Sequence, residues 1–236
     1  MGPSSLEYRR TLPHLIRSWR IRWAEGPFSF YVVTPAGFGS KDGTVVEEYS
    51  SKHGISLGSL PWIREGASCV LTLPATGIAL ADDLGFSREQ FPLDKLVVAR
   101  RLALLARHRL YGEKIVDTGP VFRDIKIEGN KARVEFNTHG GVLTLGISPS
   151  ESDGELPTLA ISLKGFALAG SNHRWFSAQG HIEGDSVILS SDAVPHPEAV
   201  RYNWKDFPEG NLYNREGLPT LSFRSDTDQP VPWNKQ

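Results

Sequence analysis

Phe28-Ser29-Phe30-Tyr31-Val32-Val33-Thr34 is a run of aromatic and β-branched residues that follows a Gly26-Pro27 helix stop. It lacks apolar–polar alternation, which predicts a strand buried on both faces of a parallel sheet. Just upstream, Leu12, Leu15, Ile16, Trp19 and Trp23 recur at helical spacing, so the periodicity predicts a helix over 11–24. Thr11 is its expected N-cap, Pro13 suits its first turn, and Arg17, Arg20 and Arg22 fill the other faces. A helix feeding a buried strand makes the opening of the chain α/β.

Residues 35–60 are rich in Gly, Ser, Lys and Glu and read as a long loop with a short helical turn near Val45 to Ser51. A second helix is expected over 61–73 and a second buried strand over 77–81, ending in Asp82-Asp83, two acids expected to be solvated. A third helix begins near Pro92, runs to about Tyr111 and stops at Gly112. Its apolar face is Leu96, Ala99, Ala103, Ala106 and Leu110, widened by Leu102 and Leu105, which assigns Arg100-Arg101 and Arg107-His108-Arg109 to the water-facing side.

From Gly119 the pattern changes to short alternating runs separated by turn residues. Strands are expected over 121–128, 131–137, 142–147, 159–163, 166–169, 175–182, 186–190 and 199–204, with Gly129-Asn130, Gly140-Gly141 and Glu183-Gly184-Asp185 as turns. So many short strands suggest a β-sandwich. Residues 207–236 are expected to wrap the surface.

Composition narrows the function classes. The chain has 236 residues, 26 Lys+Arg against 27 Asp+Glu and 39% apolar residues, which excludes disordered, collagenous and disulfide-scaffold classes. Near-zero net charge argues against a nucleic-acid partner. The lone Cys69 makes no internal disulfide and no metal site, and His53, His139, His181 and His196 have no metal-like spacing. No cofactor is expected. No run of about 18 apolar residues predicts a membrane span, and Met1-Gly2-Pro3-Ser4-Ser5 does not read as the start of an export signal.

Several longer stretches are more specific. They are Tyr8-Arg9-Arg10-Thr11-Leu12-Pro13-His14-Leu15-Ile16-Arg17-Ser18-Trp19-Arg20, Leu73-Pro74-Ala75-Thr76-Gly77-Ile78-Ala79-Leu80, and Pro92-Leu93-Asp94-Lys95 running into Arg100-Arg101-Leu102-Ala103-Leu104. Tyr111-Gly112, Leu163-Lys164-Gly165-Phe166, Asn211-Leu212-Tyr213-Asn214-Arg215-Glu216-Gly217-Leu218-Pro219 and Phe223-Arg224 complete the set. With these residues the chain resembles the C-terminal half of sialate O-acetylesterases, SGNH-type carbohydrate esterases that remove acetyl esters from sugars. The resemblance implies a partial SGNH-type three-layer α/β unit over residues 1–115, a β-sandwich-like domain over 116–227 and a tail over 228–236. It also implies an acetylated sugar as ligand. Relatives are commonly exported, and the compartment of this chain is left open.

The family's chemistry is ester hydrolysis by a serine activated by a histidine, with an oxyanion hole. The resemblance places the serine block, and a Q-G-E-S-N motif, upstream of Met1. The remaining block reads D-I-H-P in relatives and aligns here with Glu89-Gln90-Phe91-Pro92. Glu89 therefore stands at the family's Asp and Phe91 at its His, and a phenyl ring neither accepts nor relays a proton. The expectation is a chain that is catalytically incomplete. A late start in the reading frame explains the absent serine but not Phe91, a non-catalytic carbohydrate-binding or scaffold protein explains both, and a relocated active site is a third reading.

Phe38, Gly39 and Ser40 follow the first buried strand, where α/β ligands gather, and the resemblance sets this loop beside the family's active site. A plain connection is the competing reading. Gly170-Ser171-Asn172-His173 looks like a nucleophile turn but lies between predicted strands, which favours a polar loop. Trp62, Trp175, Trp204, Tyr202 and Tyr213 are either stacking surfaces for sugars or core fillers. Finally, two parallel strands leave an edge beside residues 28–34, expected to be covered by a separate chain or by an N-terminal half of the same protein.

Overall fold

Helix α1 (Ser4–Trp23) begins a full two turns earlier than its apolar spacing indicates, and Pro13 lies inside it rather than in its first turn. Pro13 removes one backbone hydrogen bond, and the turn before it is held from outside by α2 (Leu60–Ser68). Arg9 donates to the Glu65 carboxylate, and Gly66 lets the helices touch, since a Cβ there would stand 3.2 Å from the backbone nitrogen of Arg9. The structure, a computed structural model, describes residues 4–39, 60–85, 91–92, 94–146 and 162–228. The expected helical turn near Val45 and most of the expected 159–163 strand lie outside the described residues.

The chain divides into two compact units, the first reaching to Asp117 and taking back Lys205–Phe207, the second comprising Thr118–Trp204 and Pro208–Asp228. In the first, β1 (Phe30–Val33) pairs in parallel with β2 (Thr76–Ala79) in a two-stranded sheet, register Phe30 to Thr76 through Val33 to Ala79. Strand periodicity sends alternate residues to opposite faces. Gly77 and Tyr31 face α3 (Lys95–Arg109), where a Cβ on Gly77 would stand 2.9 Å from Leu105. Thr76 faces the other way and donates its hydroxyl to the carbonyls of Val70 and Leu73 in the 3-10 turn Cys69–Thr72 and just beyond it, while Phe30 meets Trp19 of α1. Helical layers therefore lie on both faces of the sheet.

α3 corrects the sequence reading. Asp94 caps it by accepting from the N–H groups of Leu96 and Val97, and Gly112, at φ 73°, closes it. Yet Leu96, Ala99, Ala103 and Leu110 of the expected core face are exposed, and the buried residues are Leu105 and Arg101. Apolar and basic residues are spread over all faces of this helix, so its periodicity selects no face, and the ion pair of Arg101 with Asp83 settles its rotation.

In the second unit, β3 (Val121–Glu128), β4 (Lys131–Asn137), β9 (Ser186–Ser190) and β8 (Gln179–Glu183) form one antiparallel sheet in that order. β12 (Phe223–Arg224), β10 (Ala199–Tyr202), β6 (Phe166–Ala169) and β7 (Phe176–Ser177) form another, and β11 (Leu212–Asn214) pairs with β5 (Leu143–Leu145). Val134, Phe136 and Leu189 from the first sheet share one core with Leu168, Val200 and Phe223 from the second, the arrangement of a β-sandwich. The single strand expected over 175–182 is two, because the chain changes sheets at Ala178. The expectation that 207–236 wraps the surface is also corrected: Leu212, Tyr213, Leu218 and Phe223 are core residues, and the Leu212 N–H donates to the Tyr202 hydroxyl. No helix of the described residues is long and apolar enough to cross a membrane.

Candidate functional site

Both parallel strands of the first unit end at the same side, and the chain turns there twice. After β1 comes Thr34-Pro35-Ala36-Gly37-Phe38-Gly39, and after β2 comes Leu80-Ala81 and the 3-10 turn Asp82–Leu84. The turns are stitched together: the Ala81 N–H donates to the Thr34 hydroxyl at 2.8 Å, and Gly85 lies so close to Gly37 that a Cβ on it would stand 2.1 Å from the Gly37 carbonyl oxygen. Gly39, at φ 109°, holds a conformation only glycine adopts freely.

Against these turns lies a cavity of about 330 Å³ lined by Tyr8, Thr34, Pro35, Phe38, Leu60 and Phe91 among others. It therefore sits at the carboxyl end of a parallel sheet, where α/β proteins bind ligands, and its size falls in the range of small-molecule pockets. Phe38 is 3% exposed and forms wall, while Phe91 is 67% exposed and stands at the mouth. The structure thus brings together Phe38 and Phe91. Ser40 and Glu89 lie outside the described residues, and Gly39 is buried next to the wall without lining the cavity.

Behind the wall stands Arg64, which is wholly buried and which the sequence reading did not single out. It donates Nε to the Pro35 carbonyl at 3.2 Å, Nη1 to Lys205 at 2.7 Å, and Nη2 to Ala36 at 3.2 Å and Asp206 at 3.0 Å. The Asp206 carbonyl also accepts from the Phe38 N–H, and its carboxylate accepts from the Leu60 N–H. One guanidinium therefore ties the pocket wall to the returning segment Lys205–Phe207. Burial pulls its proton affinity below the ordinary arginine value, opposed by the charges of Asp82 and Asp206.

Asp82 and Asp83, expected to be solvated, are both buried. Arg101 explains Asp83: it donates Nη1 and Nη2 to the two carboxylate oxygens at 2.6 and 2.7 Å and Nη1 to the Leu80 carbonyl at 2.6 Å. Among the described residues Asp82 has no such side-chain partner, and burial pushes its carboxyl up to about 6, with Arg64 pulling it down and Asp83 adding to the rise. The cavity lining holds two hydroxyls, of Tyr8 and Thr34, and otherwise apolar side chains; among the described residues that line it there is no His, Cys, Lys or carboxylate. Such a pocket can bind an apolar or acetyl-bearing group, and the Tyr8 phenol is the titratable side chain in its described lining.

The other candidates separate from this pocket. Ser171 is exposed in the turn before β7, with no hydrogen bond to His173, whose Nδ1 lies 2.9 Å from an Asp228 carboxylate oxygen. Trp62, Tyr202 and Tyr213 are core fillers. Trp175 and Trp204 are half-buried, their rings 4.0 and 5.8 Å from the Arg201 guanidinium carbon, which stacks between them while Asp226 holds its fork.

No family model and no curated protein matches this chain. Among solved structures it is similar to a carbohydrate acetylesterase from Xanthomonas citri, with 36% sequence identity and a TM-score of 0.78 over 94% of this chain and 47% of that one. The chain spans about half the length of that enzyme. The likeness joins sequence to fold and supports a relationship to carbohydrate esterases.

Proposed function

We propose that this chain is the pocket-bearing half of a carbohydrate acetyl-ester hydrolase, with acetylated sialic acid or a similarly acetylated sugar as its ligand, and that by itself it is catalytically incomplete. The observation that carries this reading is Phe91 at the mouth of the cavity beyond the carboxyl ends of β1 and β2. By the sequence resemblance, position 91 aligns with the family's proton-transferring histidine. Phe38 and Leu60 make an apolar wall suited to an acetyl methyl, and the Tyr8 hydroxyl is the polar side-chain group its described lining offers to a sugar.

The nucleophile and base belong, in this reading, to a further polypeptide segment that adds its strand beside β1. β2 is buried along its length, whereas β1 is half-exposed and Val33 is 39% exposed. Beside it, Trp19, Trp23, Phe28 and Phe30 form a cluster of rings with centroids 5.1 to 5.8 Å apart, one pair stacked and three tilted, and both tryptophans are exposed. The similar Xanthomonas citri enzyme is about twice as long as this chain.

The test is turnover and binding on the purified chain. Incubation with p-nitrophenyl acetate and with O-acetylated sialic acid is expected to show hydrolysis at the buffer rate, while calorimetry detects binding of the acetylated sugar. Saturable turnover by the chain alone overturns the incomplete reading. A purely structural or scaffold role is favoured if neither turnover nor binding is seen.

A further inference from the structure

Helix α1 also lines a larger hollow than the cavity that Tyr8 borders. A groove of about 960 Å³ lies along α1 and the 3-10 turn Cys69–Thr72, lined by Arg9, Arg10, His14, Arg17, Ser18 and Thr72 among others. Its volume is at the upper end of small-molecule sites. Arg10, His14 and Arg17 stand at i, i+4 and i+7, so they share one helix face and span about 10 Å of its axis. All three are exposed, and among the described residues no carboxylate pairs with Arg10 or Arg17. Arg9 is the arginine already engaged, paired with Glu65 and set over the Trp62 ring, 5.8 Å from its centroid. Glu7 is the one acid in the described lining, so the groove is locally cationic although the whole chain has a net charge of -1.

We propose that this groove binds a glycan chain bearing carboxylates, its acid groups on Arg10 and Arg17 and its hydroxyls on the polar side chains between and beside them. A guanidinium fork matches a carboxylate with two parallel hydrogen bonds. The two forks stand too far apart for the acid group of one sugar ring to reach both, so the site calls for an oligomer, whose two modest contacts reinforce each other. His14, between the forks, adds a ring N–H, and the Thr11 and Ser18 hydroxyls both donate and accept, as sugar hydroxyls require. The Thr72 hydroxyl donates to the Cys69 carbonyl and is left as an acceptor. A nucleic-acid strand also carries repeated anionic groups, but among the described residues no Trp, Tyr or Phe lines the groove to stack a base. Tyr8 lines the cavity while Glu7, Arg9 and Arg10 line the groove, so a chain held here is kept beside the acetyl pocket. The choice of a glycan rests on the esterase reading, whereas the demand for a multivalent anion rests on the groove alone.

The probes are acetyl-free oligomers of sialic acid and of galacturonic acid, titrated into the chain by calorimetry while NMR follows the His14 ring signal. At least one oligomer is expected to bind and to move that signal, with the corresponding single sugar acid at least roughly tenfold weaker. Arg10→Gln with Arg17→Gln is expected to weaken binding by roughly tenfold or more. Arg100→Gln with Arg215→Gln removes the same charge from exposed positions outside the groove and is expected to leave binding unchanged. All four side chains are exposed, so both double variants are expected to fold, which circular dichroism checks. Three results overturn the proposal: neither oligomer binds the parent, the two double variants weaken binding equally, or oligothymidylate binds at least as tightly as the glycan, the last pointing to a nucleic acid instead. Because the probes carry no acetyl group, a chain that fails to bind acetylated sugar in the cavity counts against the esterase reading and leaves this test standing.

Discussion

Arg101 of α3 and Asp83 beyond β2 form a two-pronged ion pair at 2.6 and 2.7 Å, with side chains only 7% and 3% exposed. The same arginine donates to the Leu80 carbonyl, so one side chain orients a helix whose apolar residues favour no single face. Removing one partner strands a buried charge, which typically costs 3–5 kcal/mol. Arg101→Met is therefore expected to lower the free energy of unfolding by about 3 kcal/mol or more. Arg101→Met with Asp83→Leu is expected to recover most of the loss, read from urea denaturation midpoints, and equal losses in the single and double variants count against the assignment.

Asp82 makes the stability of the first unit depend on pH in a direction opposite to that of a salt-bridged acid. Its folded-state value of about 6 lies above the unfolded value of ~3.9, so the folded chain binds more protons between those limits. Stability contributed by the protonated group is present below pH ~4, falls as pH rises toward about 6, and is level above. The separation corresponds to about 3 kcal/mol. Asp82→Asn is expected to be more stable than the parent at pH ~7 by about 2 kcal/mol and to lose the pH dependence, as thermal melts across that range will show.

Phe91→His places an imidazole at the mouth of the cavity but supplies no nucleophile. Since the side chain is 67% exposed, the change in stability is expected to stay within about 0.5 kcal/mol. Hydrolysis of p-nitrophenyl acetate by the variant is expected to rise only linearly with protein concentration, as for free imidazole, without saturation in substrate. Saturation would show that this chain holds a complete site.

Gly85 tests the stitching of the two turns. A methyl group there would stand 2.1 Å from the Gly37 carbonyl oxygen, a contact that only a backbone shift relieves. Gly85→Ala is expected to cost about 3 kcal/mol or more. At Gly112 space is open and only the positive φ is strained, so Gly112→Ala is expected to cost about 1 kcal/mol. Chemical denaturation of the two variants side by side separates contact from conformation.

Local chemistry made much of the fold legible. Gly129-Asn130 and Glu183-Gly184-Asp185 give hairpin turns, with positive φ at both glycines, and the strands 121–128, 131–137, 166–169 and 186–190 stand where alternation places them. Tertiary partners decided the rest. The first turns of α1 exist because α2 grips Arg9 and Tyr8, Arg101 turns inward because Asp83 awaits it, and β11 and β12 are core strands too short for any periodicity to register. At the candidate site, position after a buried strand pointed to Phe38, and a family alignment pointed to position 91. Nothing local marked Arg64, because an arginine in a short helix ordinarily faces water and its four acceptors come from residues 35–36 and 205–206.

The exposed row beside β1 gives the last prediction. Trp19, Trp23 and Val33 are all exposed, and an edge strand flanked by bare aromatic rings is a template for pairing with another chain. Expressed alone, the chain is expected to self-associate as concentration rises, since the same surface that would seat a completing segment can seat a second copy. Trp19→Ser with Trp23→Ser removes apolar area, and Val33→Lys sets a charge on the strand, a common device against edge pairing. The triple variant is expected to sediment as a monomer, with a melting temperature lowered by the loss of the ring contacts with Phe28 and Phe30. A parent chain that stays monomeric at high concentration, as judged by sedimentation velocity, removes the case for a docking surface at β1 and with it the proposed completing segment.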